Sequence, residues 1–265
     1  MKFFKNYIKK YILFVNSIKL AEKAKNNKKE IALDEIITQN LNEILNFDEK
    51  KINDLKNLLK DLIGTSLVGG LKILDSLNKT IEIDGDICEF GVAQGKTSKL
   101  IAYFIKETNK KLFLFDSFQG LPKPSEKDQL KDDIFNLGNM KRYQGKMSHA
   151  ENKVINELKS INFNNDKLII NKGFFNEKSK INMKLPKAVS FAYLDFDFYQ
   201  PTLDGLNYLN NVLNVGGIII VDDYDFFSTG VKTSVEEWFK LNSKSYIKKI
   251  IKTNELSFVT LEKIN

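Results

Sequence analysis

Apolar residues in the first 80 positions recur at steps of three and four, which is the spacing of one face of an α-helix. The pattern starts between Phe3 and Val15 and returns over 33–46, 48–61 and 65–79. Asparagine and lysine crowd the connections between these stretches. We therefore expect a helical extension, or cap, over residues 1–80.

The stretch between Phe3 and Val15 has lysines between its apolar positions. One interpretation is a helix that packs on the main domain or on a second subunit, which would make the protein a homo-oligomer. The other is a basic amphipathic helix that lies on an anionic membrane surface. The packed helix is favoured over peripheral membrane contact.

From residue 86 onward the spacing changes, and short apolar runs alternate with amphipathic stretches. Five runs have strand length and are separated by helical patterns: DICEF, KLFLFD, KLIIN, SFAYLDF and GGIIIVDD, with helices near 96–107, 148–160, 202–213 and 231–241. Apolar strands separated by helices indicate a parallel sheet covered on both faces. Two more runs, SYIKKIIK and ELSFVTLEK, close the chain as a hairpin. The predicted fold class for residues 81–265 is α/β, a doubly wound, mostly parallel seven-stranded sheet with a reversed strand at its edge.

One connection is longer than the others. Residues 117–147 contain two prolines, three glycines and many charges, and they follow the second predicted strand. Ligands bind at the carboxyl ends of strands in open α/β sheets, so a long connection there is typical of a lid. We call residues 117–147 the lid segment.

Composition narrows the function classes. The chain of 265 residues carries a formal net charge of +7, but its lysines are spread along the sequence, which argues against a nucleic-acid partner. The single cysteine, Cys88, excludes an internal disulfide. No apolar stretch approaches the roughly 18 residues of a membrane span, and the run from Tyr11 to Val15 is too short for a signal-peptide core. We expect a cytoplasmic protein.

The first candidate site is the turn after the first predicted strand. Glu89 lies near the end of that strand, and Gly91 and Gly95 follow before a helix that starts near Thr97. Glycines let the backbone approach a ligand, and the helix N-terminus offers free N–H groups. The spacing is neither that of a dinucleotide-binding turn nor that of a P-loop, since Phe90 stands where a P-loop needs glycine.

Two sets of acidic residues end later strands. Asp116 ends the second strand, where a carboxylate can accept hydrogen bonds from both ribose hydroxyls. Asp195 and Asp197 end the fourth strand, and Asp222 and Asp223 end the fifth. Neighbouring parallel strands bring these ends together, and so many carboxylates need a compensating cation. Oxygen ligands without His or Cys suit Mg²⁺, Mn²⁺ or Ca²⁺.

Taken together these motifs resemble the macrocin O-methyltransferase family, whose members methylate sugar hydroxyls of macrolides and related natural products. The resemblance covers residues 85–240 and rests on five motifs in order: EFGVAQG, LFDSFQGLP, NKGFFNE, LDFDFYQPT and VDDYD. It implies a Rossmann-like methyltransferase fold, S-adenosylmethionine and Mg²⁺ (or Mn²⁺) as cofactors, and a small-molecule acceptor, such as a sugar or nucleotide-sugar.

The resemblance also implies roles for individual residues. Glu89, Gly91, Gln94 and Gly95 would surround the methionine part of the cofactor. Asp116 and Ser117 would hold the ribose, and Gly173 and Phe174 would border the adenine. Asp195, Asp222 and Asp223 would hold the metal, and Asp197 would be the general base that takes the proton of the acceptor hydroxyl.

Some positions depart from the family's usual pattern. Phe196 replaces a small glycine, Gln94 and Gly95 replace an Arg-Gly turn, and Pro201 replaces Ser or Glu. These positions flank the expected acceptor pocket, so the acceptor is the least defined part of the prediction. His149 could be a base or a contact to the acceptor, but a surface residue at a helix start is the favoured interpretation. Lys141 and Arg142 are interpreted as solvated charges that could meet an anionic acceptor.

Three other functions remain as alternatives. An NAD-dependent oxidoreductase would share the fold class but would not need the acidic cluster. Methyl transfer to a phosphorus oxyanion or a phenol would keep every motif and change only the acceptor pocket. A non-catalytic adapter, attached to a membrane by its first helix, would have no use for the cluster.

Overall fold

The structure is a computed structural model that describes residues 27–252 and 257–265. The predicted helix between Phe3 and Val15 lies outside these residues, and its two interpretations stay predictions. The chain divides into two compact units, with the boundary between Asn78 and Lys79. Among the described helices, none has both the length and the apolar character that crossing a bilayer requires.

The described part of the first unit, from residue 27 onward, contains three helices: α1 (Asn27–Ile44), α2 (Glu49–Lys60) and α3 (Leu67–Thr80), the last of which ends just past the boundary. These correspond to the three helices that the spacing predicts for this part of the chain. The side chain of Asp48 begins α2 by accepting a hydrogen bond from the Lys51 amide at 2.8 Å. Spacing by three and four then buries one face of α2, through Ile52, Leu55 and Leu59.

The second unit is built on one seven-stranded sheet. Its strands are β1 (Asp86–Phe90), β2 (Leu112–Asp116), β3 (Leu168–Lys172), β4 (Val189–Leu194), β5 (Leu213–Val221), β6 (Tyr246–Lys252) and β7 (Ser257–Lys263). They lie in the order 3-2-1-4-5-7-6, with β1 to β5 parallel and β7 antiparallel to both of its neighbours. The predicted fold class is confirmed.

One detail of the prediction is wrong, because the reversed strand is not at the edge. Strand β7 lies between β5 and β6, so β6 forms the edge. Burial explains this order. The first five residues of β7 are buried, whereas most of β6 is exposed and carries Lys248, Lys249 and Lys252, which suit an edge strand.

Four helices connect the strands: α4 (Lys96–Ile105), α5 (Glu151–Lys159), α6 (Tyr199–Val212) and α7 (Gly230–Asn242). Each overlaps a helix that the sequence pattern predicts. Strands β1 and β4 are central and almost entirely buried, and the chain leaves them in opposite directions along the sheet. Their carboxyl ends therefore form the switch point at which doubly wound sheets bind ligands.

The lid segment has a small apolar core of its own. Leu121, Met140 and Tyr143 are buried there against Phe198 and Phe227. The rings of Tyr143 and Phe227 stack with their centroids 5.3 Å apart. Phe198 follows β4 and Phe227 follows β5, so the lid segment packs on the two loops that carry the acidic residues. Its role as a lid stays a prediction.

Candidate active site

The carboxyl ends of β1, β4 and β5 lie side by side. Phe90 pairs with Leu194, and Leu194 pairs with Val221, in the parallel register. The ladder continues beyond the strands, since the Asp195 amide donates to the Phe90 carbonyl at 2.8 Å and the Asp222 amide donates to the Leu194 carbonyl at 2.9 Å. This register brings the acidic residues that the sequence analysis singled out to one rim.

Gly91 allows the turn after β1 to lie directly against the backbone of Asp195, which follows β4. Its φ is +80°, and a Cβ placed on it would lie 1.8 Å from the backbone oxygen of Asp195. No side chain fits at that distance, and the left-handed conformation itself favours glycine. Gly91 thus fixes the distance between the turn after β1 and the acidic loop after β4.

Three carboxylates form a compact group. Asp195, Asp197 and Asp223 each offer an oxygen, and these oxygens lie within 4.8 Å of one another. Asp197 and Asp223 both adopt left-handed backbone conformations, with φ of 64° and 51°. Such conformations are uncommon for residues other than glycine and often mark functional sites. We call these three residues the acidic group.

Electrostatics show that the acidic group lacks a counter-charge in the described protein. Burial, and then repulsion from Asp222 and Asp223, raises the pKa of Asp195 well above its ordinary value. Burial also raises the pKa of Asp197 and of Asp223. The interaction between the Asp197 and Asp223 carboxyls lowers the pKa of Asp197 and raises the pKa of Asp223. Carboxylates this close repel one another, and a nearby cation would favour their charged forms.

Asp222 has a different environment from its neighbour Asp223. The Tyr193 hydroxyl donates a hydrogen bond to Asp222 Oδ2, and the Asp223 amide donates to Asp222 Oδ1 at 3.0 Å. Burial raises the pKa of Asp222, while the Tyr193 hydrogen bond opposes that shift. The compact group therefore contains Asp197, whereas the metal site that the family resemblance implies contains Asp222, and that assignment of ligands stays a prediction. Tyr193 was not singled out in the sequence analysis, because a tyrosine inside an apolar run is expected to be an ordinary buried strand residue.

Glu89 is fully buried, and within the described residues neither of its carboxylate oxygens has a hydrogen-bond partner. Burial raises its pKa to about 8; the neighbouring Ser98 side chain opposes this rise, and the negative charge of Asp116 adds to it. An unpaired buried carboxylate is costly unless a cationic group meets it. Its position at the end of β1 fits the ammonium group of an amino-acid cofactor.

Asp116 organises the turn that follows β1. One oxygen of its carboxylate accepts hydrogen bonds from the amides of Val92 at 2.7 Å and Ala93 at 3.1 Å, and the other accepts from Phe118 at 2.6 Å. Ser117 donates to the Gly120 carbonyl at 2.9 Å. Both residues hold loops at the rim, in addition to the contact with ribose that the family resemblance implies.

The remaining predicted cofactor residues lie around the same rim. The side chain of Gln94 accepts a hydrogen bond from Lys153 at 3.0 Å, and Gly95 begins α4 with a φ of +84°. The Gly173 amide donates to the Asp116 carbonyl at 2.9 Å, which ties the loop after β3 to the end of β2. Phe174 is 38% exposed, as a residue that stacks on a ligand base would be.

The positions that depart from the family pattern also have structural roles. The ring of Phe196 packs edge-on against Phe90 with centroids 5.6 Å apart. Pro201 lies in the first turn of α6, where proline is tolerated because no helical hydrogen bond needs its nitrogen. Arg142 Nη1 donates to the Leu137 carbonyl at 3.2 Å inside the lid segment, and Lys141 is exposed beside it. His149 is partly exposed before α5.

The sheet order and the reversed β7 define the Rossmann-like class of O-methyltransferase folds. The solved structure of the O-methyltransferase NovP is similar, with a TM-score of 0.60, 20% identity and coverage of 81% of each chain. The profile of the macrocin-O-methyltransferase (TylF) family matches residues 8–253. The chain belongs to that family, and the match extends well beyond residues 85–240 on which the resemblance rested.

Two relatives from Streptomyces are similar in sequence. One is the 8-demethyl-8-(2,3-dimethoxy-alpha-L-rhamnosyl)-tetracenomycin-C 4'-O-methyltransferase of Streptomyces olivaceus, which is 27% identical over 168 residues. The other is the demethyldecarbamoylnovobiocin O-methyltransferase of Streptomyces niveus, which is 25% identical over 182 residues. The alignments cover 58% and 64% of this chain, and 61% and 66% of the relatives' lengths.

Proposed function

We propose that the protein transfers a methyl group from S-adenosylmethionine to a hydroxyl of a sugar or glycan precursor, with a divalent cation bound at the acidic group. The observation that carries the proposal is the pairing of two unsatisfied sites on one rim. Glu89 is a buried carboxylate without a partner, and the acidic group beside it lacks a counter-charge. One site fits an ammonium group, and the other fits a metal ion.

The cofactor site is proposed from the residues around Glu89. Its carboxylate would pair with the cofactor's ammonium group, while Gly91, Gln94 and Gly95 would leave room for the methionine part. Asp116 and Ser117 would meet the ribose, and Gly173 and Phe174 would border the adenine. S-Adenosylmethionine supplies an electrophilic methyl group bound to a sulfonium, which leaves as S-adenosylhomocysteine.

The metal site is proposed from the chemistry of its donors. Asp195, Asp197 and Asp223 offer oxygen alone, which suits Mg²⁺ or Mn²⁺. A divalent cation bound there would stabilise an alkoxide that develops on the acceptor and would lower the pKa of its hydroxyl. Asp222 would orient the loop through its hydrogen bonds with Tyr193 and the Asp223 amide.

Asp197 is proposed as the residue that removes the acceptor proton. Without a cation, burial and the nearby carboxylates raise the pKa of Asp197, and a bound cation would lower it again. The base role is therefore proposed from the position of Asp197 at the rim, and the cation would supply most of the activation of the hydroxyl. Asp197 stands in a turn that the Asp195 amide and the N-terminus of α6 hold on either side. Such a fixed position lets the acceptor oxygen approach the methyl group in line while Asp197 takes its proton.

The acceptor class is proposed from the relatives. The name of one relative specifies a rhamnosyl group, and the other relative is named as an O-methyltransferase of demethyldecarbamoylnovobiocin. A sugar hydroxyl binds its proton tightly at neutral pH, so it needs both a base and a cation, which the acidic group would provide. Lys141 and Arg142 on the lid segment would suit a nucleotide-linked sugar.

Calorimetry tests this proposal directly. The protein should bind S-adenosylmethionine and S-adenosylhomocysteine, should not bind NAD⁺, and should bind Mn²⁺ at one site. A panel of sugars and nucleotide-sugars would then be assayed for methyl transfer with Mg²⁺ and with EDTA. Absence of binding to either methylation cofactor, with or without metal, would overturn the proposal. Methyl transfer that persists fully in EDTA would overturn the metal requirement alone.

A further inference from the structure

A buried carboxylate in the lid segment is bound to the start of α6. Asp128 is only 5% exposed. Its Oδ1 accepts a hydrogen bond from the Tyr199 amide at 2.7 Å, and its Oδ2 accepts from both the amide and the hydroxyl of Ser125 at 2.7 Å. Asp128 thus joins the lid segment to a helix that is 71 residues away in the sequence.

The structure around Asp128 leaves no space for a larger neighbour. A Cβ placed on Gly230, at the start of α7, would lie 1.8 Å from Asp128 Oδ1 and 2.7 Å from the Tyr199 nitrogen. Gly230 has no left-handed conformation that would by itself require glycine. The atoms of Asp128 and Tyr199 that form this hydrogen bond therefore fill the space that a side chain at residue 230 would need.

Tyr199 is the first residue of α6 and follows Asp197 by two positions. The first amides of a helix have no partner inside the helix, and Phe198, the residue before α6, cannot cap them. Asp128 supplies that cap from another part of the chain, and its negative charge suits the helix N-terminus. The other end of the same turn is fixed by the hydrogen bond from the Asp195 amide to Phe90.

We propose that Asp128 is a positioning residue, which holds the Asp195–Asp197 turn, with Asp197 in its left-handed conformation, by capping α6 from the lid segment. Through that turn it sets the place of the Asp197 carboxylate in the acidic group. The proposal rests on the proposed function for the use of the acidic group, but the contact itself does not depend on it.

The same part of the lid segment also holds the loop after β5. Gln129 and Thr229 exchange two hydrogen bonds: the Gln129 amide donates to Thr229 Oγ1 at 2.9 Å, and the Thr229 amide donates to the Gln129 carbonyl at 3.0 Å. Leu130 and Ser228 form an antiparallel bridge. The loops that carry Asp197 and Asp223 are thus both joined to the lid segment, and Asp128 provides its hydrogen bond to the backbone at the end of the first loop.

The test compares Asp128 with a matched carboxylate of the lid segment. Asp133 also anchors backbone amides, those of Leu137 at 2.8 Å and Gly138 at 2.6 Å, but it contacts only the lid segment itself. The variants are Asp128→Ala, Asp128→Asn and Asp133→Ala in the full chain. Hydrogen exchange of the peptide covering 195–201, Mn²⁺ affinity and S-adenosylhomocysteine affinity are measured for each.

In Asp128→Ala we expect faster exchange of the 195–201 peptide and Mn²⁺ affinity about tenfold weaker, as for loss of other outer contacts of metal ligands. Affinity for S-adenosylhomocysteine should change less than twofold. Asp128→Asn should recover only part of the loss, since its amide oxygen can still accept from Tyr199 but its NH2 group cannot accept from Ser125. Asp133→Ala should change neither 195–201 exchange nor Mn²⁺ affinity.

Equal effects in Asp128→Ala and Asp133→Ala would overturn the proposal, because both would then act through general loosening of the lid segment. Unchanged exchange at 195–201 in Asp128→Ala would overturn it as well. If wild-type protein binds neither Mn²⁺ nor S-adenosylhomocysteine, the proposed function fails, while the exchange comparison still decides whether Asp128 holds the turn.

Discussion

The hydroxyl of Tyr193 donates a hydrogen bond to the carboxylate of Asp222. Tyr193 is the penultimate residue of β4, and Asp222 directly follows β5. The other oxygen of Asp222 accepts from the Asp223 amide. Two consecutive aspartates are therefore distinguished by their partners. Asp222 is engaged by neighbouring protein groups, and Asp223 faces Asp195 and Asp197.

This difference predicts unequal effects of removing each carboxylate. Asp195→Asn, Asp197→Asn and Asp223→Asn should each weaken Mn²⁺ binding more than Asp222→Asn does. Tyr193→Phe and Asp222→Asn should resemble one another, with affinity reduced by about 10- to 100-fold, because both disturb the orientation of a ligand rather than the ligand itself. Calorimetric titration with Mn²⁺ measures all five variants.

One outcome would contradict this prediction of the metal ligands. If Asp222→Asn abolishes binding while Asp197→Asn leaves it unchanged, the ligands are Asp195, Asp222 and Asp223, as the family resemblance implies. Lys110→Met is a suitable control, since Lys110 Nζ donates to the Ile83 and Gly85 carbonyls at the opposite end of the sheet.

Asp197→Asn should also separate binding from chemistry. The variant should bind S-adenosylhomocysteine as the wild type does and lose methyl transfer by about 10²- to 10⁴-fold, which is the usual contribution of a general base. Single-turnover assays at saturating Mn²⁺ keep a weakened metal site from accounting for the loss. Full activity under those conditions would remove Asp197 from the base role.

Much of the fold could be predicted from the sequence. Each apolar run gave a strand within a few residues, because a strand buried on both faces needs a continuous apolar stretch. The same assignment of strands also placed Glu89, Asp116 and the aspartates at 195, 197, 222 and 223 at strand ends along one rim. The position of β7 could not be predicted in the same way. It depends on which strand of the hairpin forms the solvent-exposed edge of the sheet, and in the structure this is the lysine-bearing strand β6.

The finer structure of the site depends on backbone conformations and long-range contacts, which the spacing of residues along the sequence does not predict. Asp197 and Asp223, which group with Asp195, both adopt left-handed conformations, while Asp222 accepts a hydrogen bond from the phenol of Tyr193. The anchor at Asp128 depends on a contact across 71 residues and on the missing side chain of Gly230. In the sequence, Asp128 is one of many charges in the lid segment.

Gly91→Ala should damage the site through backbone contact. Its Cβ would lie 1.8 Å from the Asp195 oxygen, in addition to the cost of the left-handed conformation. Gly138→Ala is the matched control, because Gly138 has a φ of +81° and open space around its Cβ position. The control should lose about 1–2 kcal/mol of stability from conformation alone. Gly91→Ala should lose more and should also weaken both Mn²⁺ and S-adenosylhomocysteine binding; equal losses of stability in the two variants would contradict the close approach.

The raised pKa of Glu89 predicts that cofactor binding depends on pH. In the free protein burial raises this pKa to about 8, so Glu89 is protonated at neutral pH. Pairing with the ammonium group of S-adenosylhomocysteine requires the carboxylate, so binding below pH 8 must release a proton. Affinity should therefore rise from pH 6 to pH 8, by about tenfold per pH unit at the lower end, and then level off. Calorimetry in buffers of different ionisation enthalpy counts the released proton.

Glu89→Gln should bind S-adenosylhomocysteine weakly and without this pH dependence. Glu157→Gln is the control, since burial there is outweighed by hydrogen bonds from Lys96 and Lys99, which lower the pKa of Glu157. It should keep the wild-type slope. A slope that survives in Glu89→Gln would assign the proton to another group.

The same shift has a consequence for stability, and its sign is fixed. Because the folded-state pKa of Glu89 is raised from 4.5 to about 8, its contribution to stability is present below pH 4.5 and is lost as the pH rises towards 8. Saturating S-adenosylhomocysteine should oppose that loss by giving the carboxylate a partner. The increase in melting temperature on adding S-adenosylhomocysteine should therefore be larger at pH 8 than at pH 6 in the wild type. In Glu89→Gln the increase should be the same at both pH values, and an unchanged difference in that variant would show that Glu89 does not meet the cofactor's ammonium group.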